Sequence, residues 1–467
     1  MTAAAPQNDQ LELNMEKSED IAGLSPELMA SVNEALEDGK TDLAKLLVDT
    51  LHYADLADLL EGLRHDHREG LVDALRSEFD PNILAELDDN VRERVIDQLG
   101  LRHIAVAVAE LETDDAVEVV EELEAEEQKE VLEALPIGER TLIEEGLSYP
   151  EDSAGRLMQR AVAAVPSHWT VGQAIDYMRD DDDLPRDFFD LFLVDPRHRP
   201  VGSVALSRVV KTQRHVALSA IMNSEMKIIP VAMDQEDVAF LFRQRDLISA
   251  PVIDDSGRLV GVITVDDIVD VIHEEHEEDI MRLAGVGEED DLYAAVIDTT
   301  KSRFTWLLIH LFAAILAAFV ISFFAETIEQ LVALAILMPI VATMGGTASV
   351  QTLTVAVRAI AMKELTPANA VRTIGKEIVV GILNGFIFAV LIGVVAWLWF
   401  DNPALGGVIG LAIILNLVVA GMAGSMLPVF LQKYGFDPAV ASSAFLTSIT
   451  DVVGFYVFLG LASLLLL

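Results

Sequence analysis

Charge disappears from most of the last third of this chain. Five stretches, 304–325, 330–357, 378–400, 402–432 and 438–467, hold no Asp, Glu, Lys or Arg, with the single exception of Asp451. Each is long enough to cross a bilayer as a helix, which takes roughly 20 apolar residues. Inside lipid a helix satisfies its own N–H and C=O groups, so a chain with five such runs is expected to form a five-helix, all-α transmembrane domain over 304–467.

The connections give an orientation. Lys301 and Arg303 precede the first stretch, Arg358, Lys363, Arg372 and Lys376 join the second to the third, and Lys433 joins the fourth to the fifth. The other two connections carry only Glu326 and Glu329, and Asp401. Basic connections stay in the cytoplasm. The expectation is a multi-pass protein of the cell's inner (plasma) membrane, with cytoplasmic N-terminal domains and the C-terminus outside the cytoplasm.

A carboxylate within an apolar helix is expensive, and by default it marks an ion path or a proton relay. Asp451 is therefore the first candidate site. The alternative is a structural acid held by a neighbouring hydroxyl, and Thr447, Ser448 and Thr450 are close in sequence. The second stretch is also unusual. Its segment MPIVATMGGTASVQTLT carries Pro339, Gly345, Gly346, Thr347, Ser349, Gln351 and Thr352. In lipid such groups must face protein or a water-filled path. Small residues also suit close helix packing, the better reading for GMAGSMLP (421–428) in the fourth stretch.

Of 76 acids and 32 bases, seven of each lie from Lys301 onward, so the formal charge of −44 belongs to the first 300 residues. A surface that acidic repels nucleic acid and attracts cations. The absence of cysteine excludes disulfides and thiolate metal sites. Residues 1–24 have neither the basic start nor the apolar core of a signal peptide and are expected to be a disordered tail. Over 25–150, short amphipathic helices ended by Gly, Pro or polar turns are expected to stack as an acidic helical superhelix.

The pattern then changes to two similar copies over 151–275. FLVDPRHRPVGSVALSRVV matches PVIDDSGRLVGVITVDDIV at an offset of 59, and Val165-Pro166 matches Ile229-Pro230 at an offset of 64. Each copy reads strand, helix, strand, turn, strand, helix. This resembles a tandem of α/β CBS domains, modules that bind adenosyl ligands or metals. The second copy runs into TVDDIVDVIHEEHEEDIMRLAG, where Asp266, Asp270, Glu274 and Glu278 recur every fourth position and like charges repel. Many carboxylates with few bases nearby suit a hard divalent cation, Mg2+ or Ca2+. The EF-hand loop pattern is absent, and His273 and His276 leave a transition metal open. No nucleophile–base pair or phosphate loop stands out, so the chain is not expected to be an enzyme.

In this order the parts resemble the MgtE family of magnesium transporters. LHYADLADLLEGL, LSYPEDSAGRLM, VGVITVDDIVDVI, EEDIMRLAGV, MPIVATMGGTASVQ and SSAFLTSITDVVGFYVFLGLA carry the resemblance, which extends over about 43–462. It implies a homodimeric Mg2+ channel or uniporter whose path lies between the second and fifth membrane helices of both protomers. Asp451 would be the pore acid, with Gly345, Gly346, Thr347, Gln351, Ser443 and Thr447 around the path. Cytosolic Mg2+ would bind at Asp246, Asp267, Asp270, Glu275, Glu278, Asp279, Asp114 and Asp115 and hold the gate shut. A plug helix would connect sensor to pore over 276–303. Membrane lipid and a second copy are the expected partners, with an adenine nucleotide at the CBS pair and no nucleic acid. Two departures stand out: the Gly-Gly-Asn motif of many relatives reads Gly345-Gly346-Thr347, and Ser443 stands where some have Asn. Both exchange an amide for a hydroxyl and leave the preference for Mg2+ over Co2+ or Mn2+ open. Two other classes remain, a proton-coupled divalent cation transporter and a non-transporting membrane sensor.

Overall fold

The computed structural model describes residues 24–180, 184–185, 187–287, 296–440 and 443–467. The expected tail, up to residue 23, and 288–295 of the expected plug helix lie outside the described residues. The chain divides into two compact units, Met1–Val271 and Ile272–Leu467.

The first unit begins with short helices: α1 (Pro26–Glu37), α2 (Thr41–Val48), α3 (Tyr53–Gly62), α4 (His65–Leu75), α5 (Asn82–Glu86), α6 (Asp89–Leu99), α7 (Leu101–Val108), α8 (Thr113–Glu121), α9 (Ala125–Ala134) and α10 (Ile137–Leu147). Local chemistry starts them. Ser25 accepts from the Leu28 N–H with Pro26 in the first turn of α1, and Asp88 caps α6. Each helix buries one stripe, such as Leu56, Leu59 and Leu60 in α3 or Val91, Val95 and Leu99 in α6. Packing is mainly between helices two apart (α2 on α4, α3 on α5, α4 on α6, α7 on α9, α8 on α10), the superhelical stack expected.

A recurring tie holds this stack together. Arg68 of α4 donates to the carbonyls of Leu60, Glu61 and Leu63 at the end of α3. Arg92 of α6 donates to those of Ala85 and Leu87 at the end of α5, and Gln128 of α9 to that of Val120 at the end of α8. Each donor follows a leucine (Leu63, Leu87, Leu123) in a Leu-x-x-x-x-Arg/Gln pattern. The last carbonyls of a helix lack partners within it, and here the next turn of the stack supplies them. Arg92 is buried and also pairs with Glu118 at 2.8 Å and Glu122 at 2.5 Å.

Two three-stranded sheets follow. The first is β1 (Ala164–Pro166), β2 (Asp190–Val194) and β3 (Pro200–Ala205), with α11 (Val171–Asp180) as crossover and α12 (Leu206–Lys211) after it. The second is β4 (Ile229–Pro230), β5 (Ser249–Ile253) and β6 (Leu259–Thr264), with crossover α13 (Gln235–Arg245). In both, the first pair is parallel and the second antiparallel, with matching registers: Leu193 faces Gly202 as Val252 faces Gly261, and a bulge follows each. The copies are also interlocked. The segment before the first copy bridges to the second sheet (Gln159 to Val262), and the segment before the second bridges to the first (Asn223 to Ser203). A Cβ on Gly261 would stand 2.7 Å from Met158 Sδ, and one on Gly202 2.9 Å from Met222 Sδ, so both crossings require glycine.

From β6 the chain enters α14 (Val265–Ala284), which runs across the division between the units. The second unit continues with α15 (Val296–Ser322), a short α16 (Ala325–Gln330), α17 (Ala333–Ala361), α18 (Ala370–Phe400), α19 (Pro403–Lys433) and α20 (Ser443–Leu465). All but α16 are long and apolar enough to cross a membrane, so among the described residues there are the expected five spans. In α19, 61% of the apolar window is buried, against 6% in α15 and 11% in α18, so α19 is the central helix. On α18, Gly381, Gly385, Ala389 and Gly393 recur every fourth position and let α19 approach backbone to backbone; a Cβ on Gly381 would meet the Leu417 oxygen at 2.7 Å.

Arg92→Ala is expected to destabilise the helical stack by about 3–5 kcal/mol, the usual cost of removing one partner from a buried charged network. The check is hydrogen exchange: protection should fall in α5, α6 and α8 while α17 and α19 stay protected.

Candidate ion path and acidic cluster

In the second unit, α17 and α20 enclose a cleft of about 490 Å³ lined by Ala342, Thr343, Gly346, Thr347, Val350, Gln351, Thr447 and Asp451. Thr343, Thr347 and Gln351 stand every fourth position on α17 and are exposed, so this helix presents a polar face where lipid would demand an apolar one. Most other hydroxyls nearby are spent on their own helices. Ser349 donates to the Gly346 carbonyl, Thr354 to Val350, Thr447 to Ser443, Ser448 to Ala444, and Thr450 to Leu446 and Thr447. The side chains of Thr343, Thr347, Gln351 and Asp451, by contrast, make no hydrogen bond among the described residues. The hydroxyl clamp that would make Asp451 a structural acid is therefore not formed. Its half-buried carboxylate keeps its oxygens for water or a cation.

Other sequence candidates fall elsewhere. Gly345 is buried behind the wall, where a Cβ would stand 2.2 Å from Nδ2 of Asn416 on α19. Ser443 begins α20, roughly two helical turns before Asp451, and is not among the lining residues. Thr343 was missed from the sequence, although its spacing from Thr347 and Gln351 marks the same face.

In the first unit, the starts of α8 and α14 bring carboxylates together. Asp114 and Asp115 lie in the first turn of α8, Asp267 in that of α14. Burial, then the charges of Asp267, Asp115 and Glu112, holds the Asp114 carboxyl well above its ordinary range. Its Oδ1 is enclosed and has no hydrogen-bond partner among the described residues. Burial, then Glu118 and Asp267, pushes Asp115 up to about 7. Burial also raises Asp267 to about 6, although the Thr264 N–H and hydroxyl both donate to it. Glu86 is raised by burial and by Asp270. Glu86, Glu112 and Glu118 were not singled out from the sequence, because only the fold places them beside α14. Hard oxygen donors at close quarters fit Mg2+. Among the described residues, no three His, Asp or Glu side chains converge into a closed cage, so an ion there would keep part of its water.

The remaining acids are dispersed. Asp246 caps the exposed end of α13 in a left-handed conformation, φ +51. Glu275, Glu278 and Asp279 follow along α14 within the second unit. Glu278 is ion-paired to Arg282, which also reaches Asp437 before α20, a basic partner that the acidic pattern did not suggest. Burial and then Asp437 raise Asp279 above its ordinary value. Beside the paired sheets, a cleft of about 630 Å³ is lined by Asp190, Ser203, Arg208 and Asn223 among others. Its counterpart at Ser249 and Thr264 has room for about 10 Å³, the space of a single water.

A carboxylate with free oxygens inside a membrane-crossing bundle is a place for a cation, and the class is a membrane cation transporter. Comparison with known proteins agrees. Residues 338–461 match the family described as divalent cation transporter, MgtE, residues 51–152 the MgtE intracellular N domain, and residues 218–274 the CBS domain. The magnesium transporter MgtE of Enterococcus faecalis is 32% identical over 322 residues, 69% of this chain and 71% of that protein. That of Bacillus subtilis is 29% identical over 437 residues, 94% of this chain and 97% of that one. A crystal structure of the cytosolic domain of the Mg2+ channel MgtE in complex with ATP is 26% identical, with a TM-score of 0.48, covering 52% of this chain and 99% of that one. The chain belongs to the MgtE family, and it is a multi-pass membrane protein.

The raised carboxyls make the stability of the first unit depend on pH. Groups that bind protons more tightly folded than unfolded add stability below the ordinary value of 3.8, and that stability is lost as pH rises through about 6 to 7. In chelator, melting of the first unit should therefore move upward from about pH 8 to about pH 5, and millimolar Mg2+ should shrink the difference. Asp115→Asn should raise the melting temperature at neutral pH and flatten the profile; scanning calorimetry of the full chain in detergent checks both.

Proposed function

We propose that this protein is a homodimeric Mg2+ channel or uniporter, closed by cytosolic Mg2+. The observation that carries the transport reading is the unbonded Asp451 carboxylate on the wall of a cleft whose other wall is the exposed polar face of α17. Relatives named magnesium transporters support the choice of ion. Mg2+ dehydrates reluctantly, so a path that reads the hydrated ion needs oxygen groups that are not already committed. Thr343, Thr347, Gln351 and Asp451 meet that need. With α17 and α20 supplying one wall, a second copy supplies the other and covers the polar face from lipid. A membrane potential negative inside drives entry, by about 2.3 kcal/mol per charge per 100 mV and twice that for a divalent ion. The hydroxyl of Thr347 in place of an amide sets the preference among Mg2+, Co2+ and Mn2+.

The gate is the acidic part. Carboxylates crowded at Asp114, Asp115, Asp267 and Asp270 repel, and bound Mg2+ relieves that repulsion and favours the compact form. The ion acts only through its difference in affinity between the open and closed forms. Asp246, Glu275, Glu278 and Asp279 extend the sensor. An adenosyl ligand, if bound, takes the roomier cleft at Asp190 and Arg208. The N-terminal domains are cytoplasmic and the C-terminus lies outside the cytoplasm, by the basic connections. A proton-coupled cycle through Asp451 is the second reading, favoured by the same lone carboxylate.

Asp451→Asn keeps size and removes charge. It is expected to cut Mg2+ flux into liposomes severely, with the protein still dimeric by light scattering; wild-type flux would remove Asp451 from the path. Flux that follows an imposed proton gradient would select the proton-coupled reading.

Neutralising Asp267, Asp270 and Asp279 together should leave conduction intact and shift closure to higher internal Mg2+. Patch recordings over a range of internal Mg2+ read this directly, and closure at the wild-type concentration would show that these acids are not the sensor.

A further inference from the structure

One buried polar side chain of the second unit has no part in the reading above. Asn416 lies in the middle of α19 and is 1% exposed. Its Nδ2 donates to the Val341 carbonyl of α17 at 3.0 Å. Its Oδ1 is enclosed and has no partner among the described residues. An unpaired amide oxygen in an apolar interior is destabilising, and leucine has the same branched skeleton without that penalty.

The amide fills a gap that only glycines leave. A Cβ on Gly345 of α17 would stand 2.2 Å from Asn416 Nδ2, and one on Gly454 of α20 would stand 2.8 Å from the same atom. The amide is thus in contact with both helices of the cleft at once. Gly345 precedes the lining residue Gly346, Val341 precedes the lining residue Ala342, and Gly454 comes one turn after Asp451. Each of these three contacts lies immediately behind the wall of the path.

We propose that Asn416 is a positioning residue of the ion path. Its planar amide, pinned to Val341 and wedged between Gly345 and Gly454, sets the spacing of α17 against α20 and so the distance from the Gly346–Thr347 wall to the Asp451 carboxylate. This deepens the transport reading and rests on it. Hydrated divalent ions differ little in size, so a fixed spacing governs which of them passes as well as how fast.

Asn416→Leu keeps the branched skeleton and removes both hydrogen-bonding groups. In liposomes the folded variant is expected to lose about tenfold or more in Mg2+ flux and to change its ratio of Co2+ to Mg2+ flux, since displacements of about an ångström far from the reacting centre have effects of that order. Wild-type flux, or lower flux with an unchanged ratio per folded molecule, overturns the proposal.

The spacing is also readable without transport. The chain has no cysteine, and a Cβ at Gly346 lies 3.8 Å from that of Thr447, the separation found in native disulfides. Gly346→Cys with Thr447→Cys should therefore cross-link on mild oxidation, and adding Asn416→Leu should slow this about tenfold, as displaced Cβ atoms cannot bridge. Equal cross-linking rates overturn the proposal whether or not an ion is carried. A wild-type protein that carries no Mg2+ but keeps the cross-linking response would refute the transport reading and leave the positioning role standing. Should Asn416→Leu fail to fold, Gly345→Ala with Asn416→Ala decides: the added methyl occupies the vacated space, so folded protein should recover relative to Gly345→Ala alone, and no recovery overturns the wedge.

Discussion

The membrane unit depends on one unpaid electrostatic demand: a carboxylate in an apolar bundle with no donor among the described residues. The surrounding helices solve their own polar problems. Ser349, Thr354, Thr447, Ser448 and Thr450 return their hydroxyls to carbonyls of their own helix. Asp451 accepts no hydrogen bond among the described residues, and the polar side chains facing it from α17 are equally uncommitted. A group like this persists in a membrane only if water or an ion completes it. The rest of the unit is arranged to keep that opening in place. The buried α19 acts as the spine, glycines on α18 and α19 let backbones meet, and Asn416 joins α17 to the rear of α20.

The soluble unit meets the opposite problem, an excess of like charge. Arg68 and Arg92 are buried, and their guanidinium groups tie helix ends as well as balancing acids such as Glu118 and Glu122. Where α8 meets the start of α14 the charges that act most on Asp114, Asp115 and Asp267 among the described residues are other acids, and these carboxyls respond by holding protons more tightly. A proton and a divalent cation are alternative answers to the same repulsion. This links the acidity of the surface to the proposed regulatory role without requiring a preformed cage of ligands.

Some of the site could be read in advance, and some could not. Asp451 was legible because one charge in a run of apolar residues has no ordinary explanation. The polar face of α17 was half legible: Thr347 and Gln351 stood out, and Thr343 shares their spacing. Gly345 shares the motif but not the cleft, because sequence neighbours on a helix point 100° apart and only one side of α17 faces α20, and Ser443 lies roughly two turns before Asp451 on α20. The ties of Arg68, Arg92 and Gln128 were invisible, since the pattern Leu-x-x-x-x-Arg/Gln is too short to register until its carbonyl partners are seen.

By itself, the sequence determined the class of each part. Hydrophobic run length dictates membrane helices, alternating apolar blocks at an offset of 59 dictate a repeated α/β module, and amphipathic spacing dictates a helical stack. These are properties of single segments, and periodicity reports them. The tertiary structure decided which groups meet: that Asp267 faces Asp114 and Asp115, that the hydroxyls beside Asp451 turn away from it, and that an amide on α19 fits between glycines of α17 and α20. The first and the last of these join residues tens to hundreds of positions apart, and pairing at that range is fixed by packing, of which no single segment carries a record.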